Sequence, residues 1–134
     1  MSARHKARKR ALDYLYEADI KKVDPSYLLQ QRPVEDLSEA TYASQLLTGI
    51  SEKRRKLDEF ITTYAEGWDL DRMPVIDRNI LRLSLYEALY TDLDSSIALN
   101  EALTLAKELS TEESSSYIHG VFSRIVALKD GLVL

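Results

Sequence analysis

The 134-residue sequence predicts an all-α protein. Apolar residues recur at three- and four-residue spacing through most of the chain, as they do on the buried face of a helix. No run alternates apolar and polar residues between turn signals, and four glycines and three prolines leave little turn chemistry for a sheet. The length suits a single domain over residues 1–134.

The first predicted helix runs from about Arg4 to Lys22 and begins with a cluster of cations. The formal net charge of the chain is −4, yet residues 1–10 contain no acid. The five cations of this segment are Arg4, Lys6, Arg8, Lys9 and Arg10. Cations at a helix N-terminus oppose the helix dipole. The segment is therefore either a solvated or frayed terminus, or an arm that binds a nucleic-acid backbone.

The pattern of residues 24–67 predicts less regular helices. Residues 24–33 form a short helix or a loop, and residues 36–67 form two helices or one bent helix. Asp36 can cap the start of this region, Gly49 marks a break, and Gly67 is a plausible stop. The cationic run Lys53–Lys56 is either a second nucleic-acid patch or, as its acidic neighbours favour, a solvated helix face. Trp68 follows as a candidate core residue.

The central predicted helix covers Arg72 to Tyr90 and carries two apolar stripes. Pro74 suits its first turn. One stripe contains Ile76, Ile80 and Leu83, and the other contains Leu81, Leu85, Ala88 and Leu89. A helix with one buried face needs only one stripe, so this helix should lie in the middle of the bundle. Its polar positions should then face solvent or a partner; they are Asp77, Arg78, Arg82 and Glu87.

Two further helices complete the chain. Ser95 or Ser96 can cap a helix that continues to Leu109. The segment Ser110–Glu113 matches a capping box for the last helix. Gly120 lies inside that helix and lowers its propensity by about 1 kcal/mol against alanine. A glycine there suggests close packing against a neighbouring helix or close approach of a partner.

The residues that enzymes and metal sites require are scarce. The chain has no cysteine, and its two histidines, His5 and His119, lie far apart in sequence. No phosphate-binding loop, dinucleotide fingerprint or zinc-protease motif is present. We therefore expect no catalytic residue, cofactor or metal. No apolar run approaches the roughly 18 residues of a membrane span, so we expect a cytoplasmic protein without a membrane partner.

The chain contains eight tyrosines, and two of them are candidate contact residues. Tyr16 lies two turns beyond Arg8 on the first helix, and Tyr117 opens the last helix beside three serines. Tyrosine can stack on unpaired RNA bases. For either residue taken alone, the favoured interpretation is a tyrosine at the edge of the core with its hydroxyl group in water.

Two segments resemble the NusB family of bacterial transcription antitermination factors. They are VIDRNILRLSLYE, residues 75–87, and ALNEALTLAKELSTEESSSYIHGVF, residues 98–122. The resemblance implies a compact bundle of about six to seven helices in two packed helical subdomains. It also implies binding to the boxA element of ribosomal RNA operon transcripts together with the ribosomal protein NusE. Other Nus factors and RNA polymerase would complete the antitermination complex.

The resemblance further implies roles for individual residues. The RNA-binding set consists of Arg4, Lys6, Arg8, Lys9, Arg10, Glu113, Ser116, Tyr117 and His119. The partner-binding set consists of Tyr16, Asp77 and Arg78. Three positions depart from the family pattern: Tyr117 replaces phenylalanine, Ser116 replaces a frequent lysine, and His119 replaces asparagine.

A second hypothesis assigns the same fold to a protein that has no RNA specificity. The chain would then be a non-catalytic helical protein-interaction module without RNA specificity of its own. The cationic segment distinguishes the two hypotheses, because a module that binds only protein has no evident need for it. A homodimer is compatible with either, since the apolar stripes do not separate a core from a dimer interface.

Overall fold

The structure is a computed structural model that describes residues 2–34 and 40–134. Within these ranges it contains six α-helices, two short 3₁₀ helices and no strand. The α-helices are α1 (Ala3–Lys21), α2 (Pro25–Gln31), α3 (Ala40–Tyr64), α4 (Val75–Tyr90), α5 (Ser95–Leu109) and α6 (Glu112–Ala127). The 3₁₀ helices cover Leu70–Arg72 and Lys129–Gly131. The predicted all-α fold class is confirmed. In the described part, every helix is too short or too polar to cross a membrane.

Helix α4 lies at the centre of the bundle and contacts α1, α3, α5 and α6. Both of its predicted stripes are buried except for the half-buried Ile76, and Ile80, Leu81 and Leu85 are 0% exposed. They belong to one continuous apolar cluster with residues from α1, α3, α5 and α6. The prediction of a helix packed on several sides is therefore confirmed. Burial of apolar surface around α4 is the main stabilising contribution to this arrangement.

The expectation that the polar positions of α4 face solvent is wrong. Asp77, Arg82 and Glu87 are only 4%, 3% and 1% exposed. Arg78 is half-buried. Each side chain meets a polar partner from a helix distant in sequence, which makes its burial tolerable. The partners are Ser110 and Ser114 for Asp77, Asp19 for Arg78, Asp19 and Asp58 for Arg82, and Arg8 for Glu87.

Helix α3 is continuous through the predicted break. Gly49 is buried, and a Cβ atom at this position would collide with the ring of Tyr86 on α4. This glycine therefore permits close packing of α3 on α4 and does not interrupt the helix. The helix ends at Tyr64, and Gly67 adopts a φ of 82° in the following loop. The predicted cap at Asp36 lies outside the described residues.

The observed N-caps shift by one residue from two of the predicted positions. Asp94 caps α5 by accepting a hydrogen bond from the backbone N–H of Ser96, so the cap precedes Ser95. Thr111 caps α6 by accepting from the backbone N–H of Ser114. Each cap satisfies one N–H group of the first turn. The cap on Thr111 fixes the direction in which α6 leaves the α5–α6 loop.

Candidate nucleic-acid interface

The cationic segment forms about the first two turns of α1, and one of its cations is buried. Arg8 is 3% exposed. Its Nε and Nη2 atoms donate to the two carboxylate oxygens of Glu87 at 2.8 and 2.9 Å. The hydroxyl group of Tyr42 donates to the same carboxylate. The expectation that Arg8 lies on the RNA-binding surface is therefore wrong, because its guanidinium group is committed to a buried ion pair.

Arg8 stays positively charged in spite of its burial. Burial alone disfavours the charged guanidinium, but the hydrogen bond and the charge of Glu87 outweigh it and raise the pKa of Arg8. Burial and the same carboxylate raise the pKa of Tyr42 to about 12. Tyr42 therefore remains a neutral hydrogen-bond donor at physiological pH.

His5 joins α1 to α5. The side chain is 6% exposed, and its Nδ1 and Nε2 atoms lie 2.7 Å from Glu101 and 3.2 Å from Glu108. Carboxylates only accept hydrogen bonds, so both ring nitrogens can donate only when the ring is an imidazolium. Lys9 also reaches Glu108, at 3.1 Å. These contacts pin the N-terminus of α1 against the C-terminal half of α5.

The remaining cations of the segment lie at the surface. Arg4, Lys6 and Arg10 are exposed, and Lys9 is half-exposed. The guanidinium group of Arg4 lies 4.5 Å from the ring centroid of Tyr42, close enough for a cation–π contact. The surface formed by Arg4, Lys6, Lys9 and Arg10, called the α1 cation patch below, retains most of the predicted positive charge.

The second predicted RNA-binding region lies at the start of α6. Glu113, Ser116 and His119 are exposed, and Tyr117 is half-buried. In the described part of the chain, the buried hydroxyl oxygen of Tyr117 has no hydrogen-bond partner. Burial raises the pKa of this tyrosine, so its hydroxyl group stays protonated. The start of α6 thus presents polar side chains around one aromatic ring.

Trp68 packs against Tyr117 and not in the core. Its side chain is 46% exposed, so the prediction of a core residue is wrong. The two ring centroids lie 5.9 Å apart at an interplanar angle of 65°. This edge-to-face contact leaves much of the indole surface in solvent.

Glu108 links one cation of α1 to the end of α5. It contacts His5 and Lys9 of α1, and it lies two residues before Ser110 in the α5–α6 loop. Lys9 therefore lies close to the last turn of α5, which this loop connects to the start of α6. The run Lys53–Lys56 pairs locally, with Lys56 3.7 Å from Glu59 and Arg54 4.0 Å from Asp58.

The predicted partner-binding residues divide between surface and interior. Tyr16 is 44% exposed on α1, and Ile20, one turn later, is 57% exposed. Arg78 joins this region to α4, because its Nε and Nη2 atoms each donate to Asp19 at 2.7 Å. The carboxylate of Asp77 instead accepts from Ser110 and Ser114, both at 2.7 Å. The expectation that Asp77 contacts a partner directly is therefore wrong.

Asp19 is the centre of a polar network that the sequence pattern does not predict. Besides Arg78, it accepts hydrogen bonds from Asn79 at 3.0 Å and from Arg82 at 2.8 Å. Burial opposes the ionised carboxylate, but the hydrogen bond from Arg78 and the charge of Arg82 outweigh it and lower the pKa of Asp19. Spacing along the chain could not reveal contacts between residues some 60 positions apart.

Within residues 2–34 and 40–134, histidine and acidic side chains nowhere form a group of three suited to a metal ion. The fold and surface define an all-helical bundle protein whose first helix begins with a cluster of cations. The family model described as "NusB family" matches residues 5–127. The chain belongs to the NusB family of transcription antitermination proteins.

Close relatives share nearly the whole chain. The transcription antitermination protein NusB of Thermobifida fusca is 44% identical over 139 residues, covering 98% of this chain and 94% of the relative. The NusB protein of Salinispora arenicola is 46% identical over 131 residues, covering 93% and 96%. This similarity places the protein among non-catalytic transcription factors.

Solved structures share the fold. The structure of T. maritima NusB superposes with a TM-score of 0.80 at 28% identity, covering 96% of this chain and 97% of that one. A crystal structure of the antitermination factors NusB and NusE in complex with dsRNA matches with a TM-score of 0.81 at 23% identity, covering 95% and 98%. Because the sequence identity to this second structure is only 23%, its similarity shows a shared fold and nothing further.

Proposed function

We propose that this protein is a transcription antitermination factor that binds boxA-type single-stranded RNA of ribosomal RNA operon transcripts together with the ribosomal protein NusE. It would act in a complex with other Nus factors and RNA polymerase. Family membership supports the general role. The observation that supports RNA binding is the pair of Lys9 with Glu108, which brings one cation of the α1 cation patch to the end of α5, two residues before the loop that leads to α6.

The RNA-binding surface in this proposal has two parts. Arg4, Lys6, Lys9 and Arg10 engage phosphates, and their charge gives affinity that depends on salt. At the start of α6, Glu113, Ser116 and His119 surround Tyr117 and contact base edges. Arg8 acts as a positioning residue, because its pair with Glu87 orients the helix that carries the other cations.

The partner surface in this proposal is centred on α1. Tyr16 and Ile20 supply exposed apolar area on one helix face. Arg78 adds a charged edge, held in place by Asp19. Asp77 supports this region from within by fixing the start of α4 to the α5–α6 loop. A protein partner that covers Tyr16 would therefore lie next to the RNA surface.

The proposal is tested by titrating a labelled boxA-type RNA, and a scrambled RNA of equal length, with and without NusE. Selective binding that NusE strengthens is the expected result. Lys6→Gln and Arg10→Gln should each lower the slope of log affinity against log salt by about 0.7, one phosphate contact on a single strand. Arg55→Gln, an exposed cation of α3, is the matched control and should leave the slope unchanged.

Two outcomes would contradict the proposal. An unchanged salt slope in Lys6→Gln and Arg10→Gln would remove the α1 cation patch from the RNA surface. No RNA binding by the natural protein, with NusE still bound, would favour the interaction module without RNA specificity.

A further inference from the structure

A cavity of about 420 Å³ lies between the start of α4 and the start of α6. Its lining combines aromatic and apolar side chains with hydrogen-bonding groups. The residues that matter here are Trp68, Met73, Pro74, Thr111, Glu113 and Tyr117. Neither the apolar core nor the caps of the two helices require an opening of this composition.

Trp68 and Tyr117 form the aromatic wall of the cavity, and contacts within the protein cover only part of the Trp68 surface. Trp68 is 46% exposed, although tryptophan has the largest apolar surface to bury. Its contact with Tyr117 is T-shaped and leaves nearly half of the residue's surface exposed. Met73, which is 3% exposed, and Pro74 continue the apolar lining. A planar aromatic ligand can stack against such a wall.

The polar lining offers both donors and acceptors. The carboxylate of Glu113 only accepts hydrogen bonds, whereas hydroxyl groups can donate and accept. Thr111 and Glu113 are both exposed, so their side chains can offer hydrogen-bonding groups to a ligand in the cavity.

We infer that this cavity takes one unpaired nucleobase of the bound RNA, with the base stacked on Trp68. The inference rests on the proposed RNA binding and adds Trp68 to the contact residues. Of the base, sugar and phosphate of a nucleotide, only the base has both a flat face for stacking and an edge with hydrogen-bond donors and acceptors.

The surrounding charges support insertion of a base and exclude a phosphate. The carboxylates of Asp77 and Glu113 line the cavity, and in the described part of the chain no lysine or arginine does. These charges repel a phosphate group. Lys9 of the α1 cation patch pairs with Glu108 at the end of α5, two residues before the loop that leads to α6. The RNA backbone can therefore follow the cations while one base turns into the cavity.

Trp68 is the only tryptophan of the chain, so intrinsic fluorescence reports on this cavity directly. The probe is a boxA-type single-stranded RNA with a terminal dye, whose anisotropy measures total binding independently. Tryptophan emission should change in step with anisotropy. In a series of RNAs with one abasic position each, one substitution should abolish the emission change and weaken binding about tenfold, within the range for one stacked base.

Variants of Trp68 give a second readout. Trp68→Ala should weaken RNA binding about tenfold, and Trp68→Phe, which keeps a stacking ring, should weaken it less. Tyr27→Ala removes an aromatic residue of similar exposure, 51%, from α2 and should leave RNA affinity unchanged. Circular dichroism melts of the three variants check that each remains folded.

Three results would overturn the inference. Unchanged emission on RNA binding, with natural affinity in Trp68→Ala, would refute the base site and leave the proposed RNA binding intact. A change in emission on adding NusE without RNA would assign the cavity to a protein segment. No RNA binding by the natural protein would refute the proposed function and the base site together.

Discussion

The buried pair of Arg8 and Glu87 provides a direct test of which cations of α1 serve the fold and which serve binding. We consider Arg8→Met, which keeps a long side chain and removes the charge. In this variant the carboxylate of Glu87, which is 1% exposed, keeps only the hydrogen bond from Tyr42. The variant therefore leaves a buried charge without its counterion.

The loss in free energy of unfolding expected for Arg8→Met is large relative to the total stability of a domain. Breaking a buried ion pair by removing one partner costs about 3–5 kcal/mol. A typical domain is stable by about 5–15 kcal/mol, so Arg8→Met should lose a substantial fraction of the total. Combining Arg8→Met with Glu87→Gln should recover part of the loss, because no unpaired charge then remains buried.

The assay is urea unfolding followed by far-ultraviolet circular dichroism, which gives the free energy of unfolding by linear extrapolation. Lys6→Met is the matched control, since it removes an exposed cation from the same turns of α1. Its free energy of unfolding should stay within about 0.5 kcal/mol of the natural protein. RNA titration of both variants, under conditions where they are folded, should show a reduced salt slope only for Lys6→Met.

The opposite pattern would refute the reasoning. If Arg8→Met lost less than about 1 kcal/mol and also lowered the salt slope of RNA binding, Arg8 would be a phosphate contact. The placement of α1 against α4 would then be wrong for the protein in solution.

Three further predictions concern packing, pH and the partner surface. Gly49→Ala should destabilise the protein by about 1–3 kcal/mol in thermal melts, because the added Cβ collides with the ring of Tyr86 on α4. Gly120→Ala should stabilise the protein by up to about 1 kcal/mol, because the added Cβ meets only one arginine nitrogen, at 3.4 Å, and alanine favours the helix. The pKa of Asp19 is lowered in the folded protein, so its stabilising effect is present at neutral pH and is lost as the pH falls through that pKa. The gap in urea midpoint between the natural protein and Asp19→Asn should therefore narrow below about pH 4, and a constant gap down to pH 3 would contradict this assignment. Tyr16→Ala should weaken NusE binding in calorimetry at unchanged stability, while Asp77→Lys should lower stability itself; equal stability of the two would contradict the burial of Asp77.

Local periodicity predicted the helices well, because the buried faces of helices repeat within a few residues. The predicted first helix, about Arg4 to Lys22, differs by one residue at each end from α1. The two stripes of the central helix correctly indicated burial on several sides. The break predicted at Gly49 was wrong, because glycine lowers helix propensity locally but here permits a close contact with a different helix.

The same local pattern could not predict which charges are buried. Arg8 and Glu87 are 79 positions apart, and nothing in their spacing indicates a pair. A polar residue on a helix is expected to be exposed when its partner is unknown, so the pattern predicts that the polar positions of α4 face solvent or a partner. The exposure of Trp68 was missed for the complementary reason, since its surroundings depend on where α6 begins.

The distribution of charge at α1 has a consequence for how RNA would be recognised. Cations at a helix N-terminus are unfavourable in isolation, but here Glu87 and Glu108 offset that cost by pairing with Arg8 and Lys9. The buried contacts fix the N-terminal turns against α4 and α5. The exposed cations therefore stand on a rigid helix, and binding RNA requires less ordering of the protein than a flexible arm would. Loss of the buried contacts should consequently weaken RNA binding through disorder of α1, even when every exposed cation is retained.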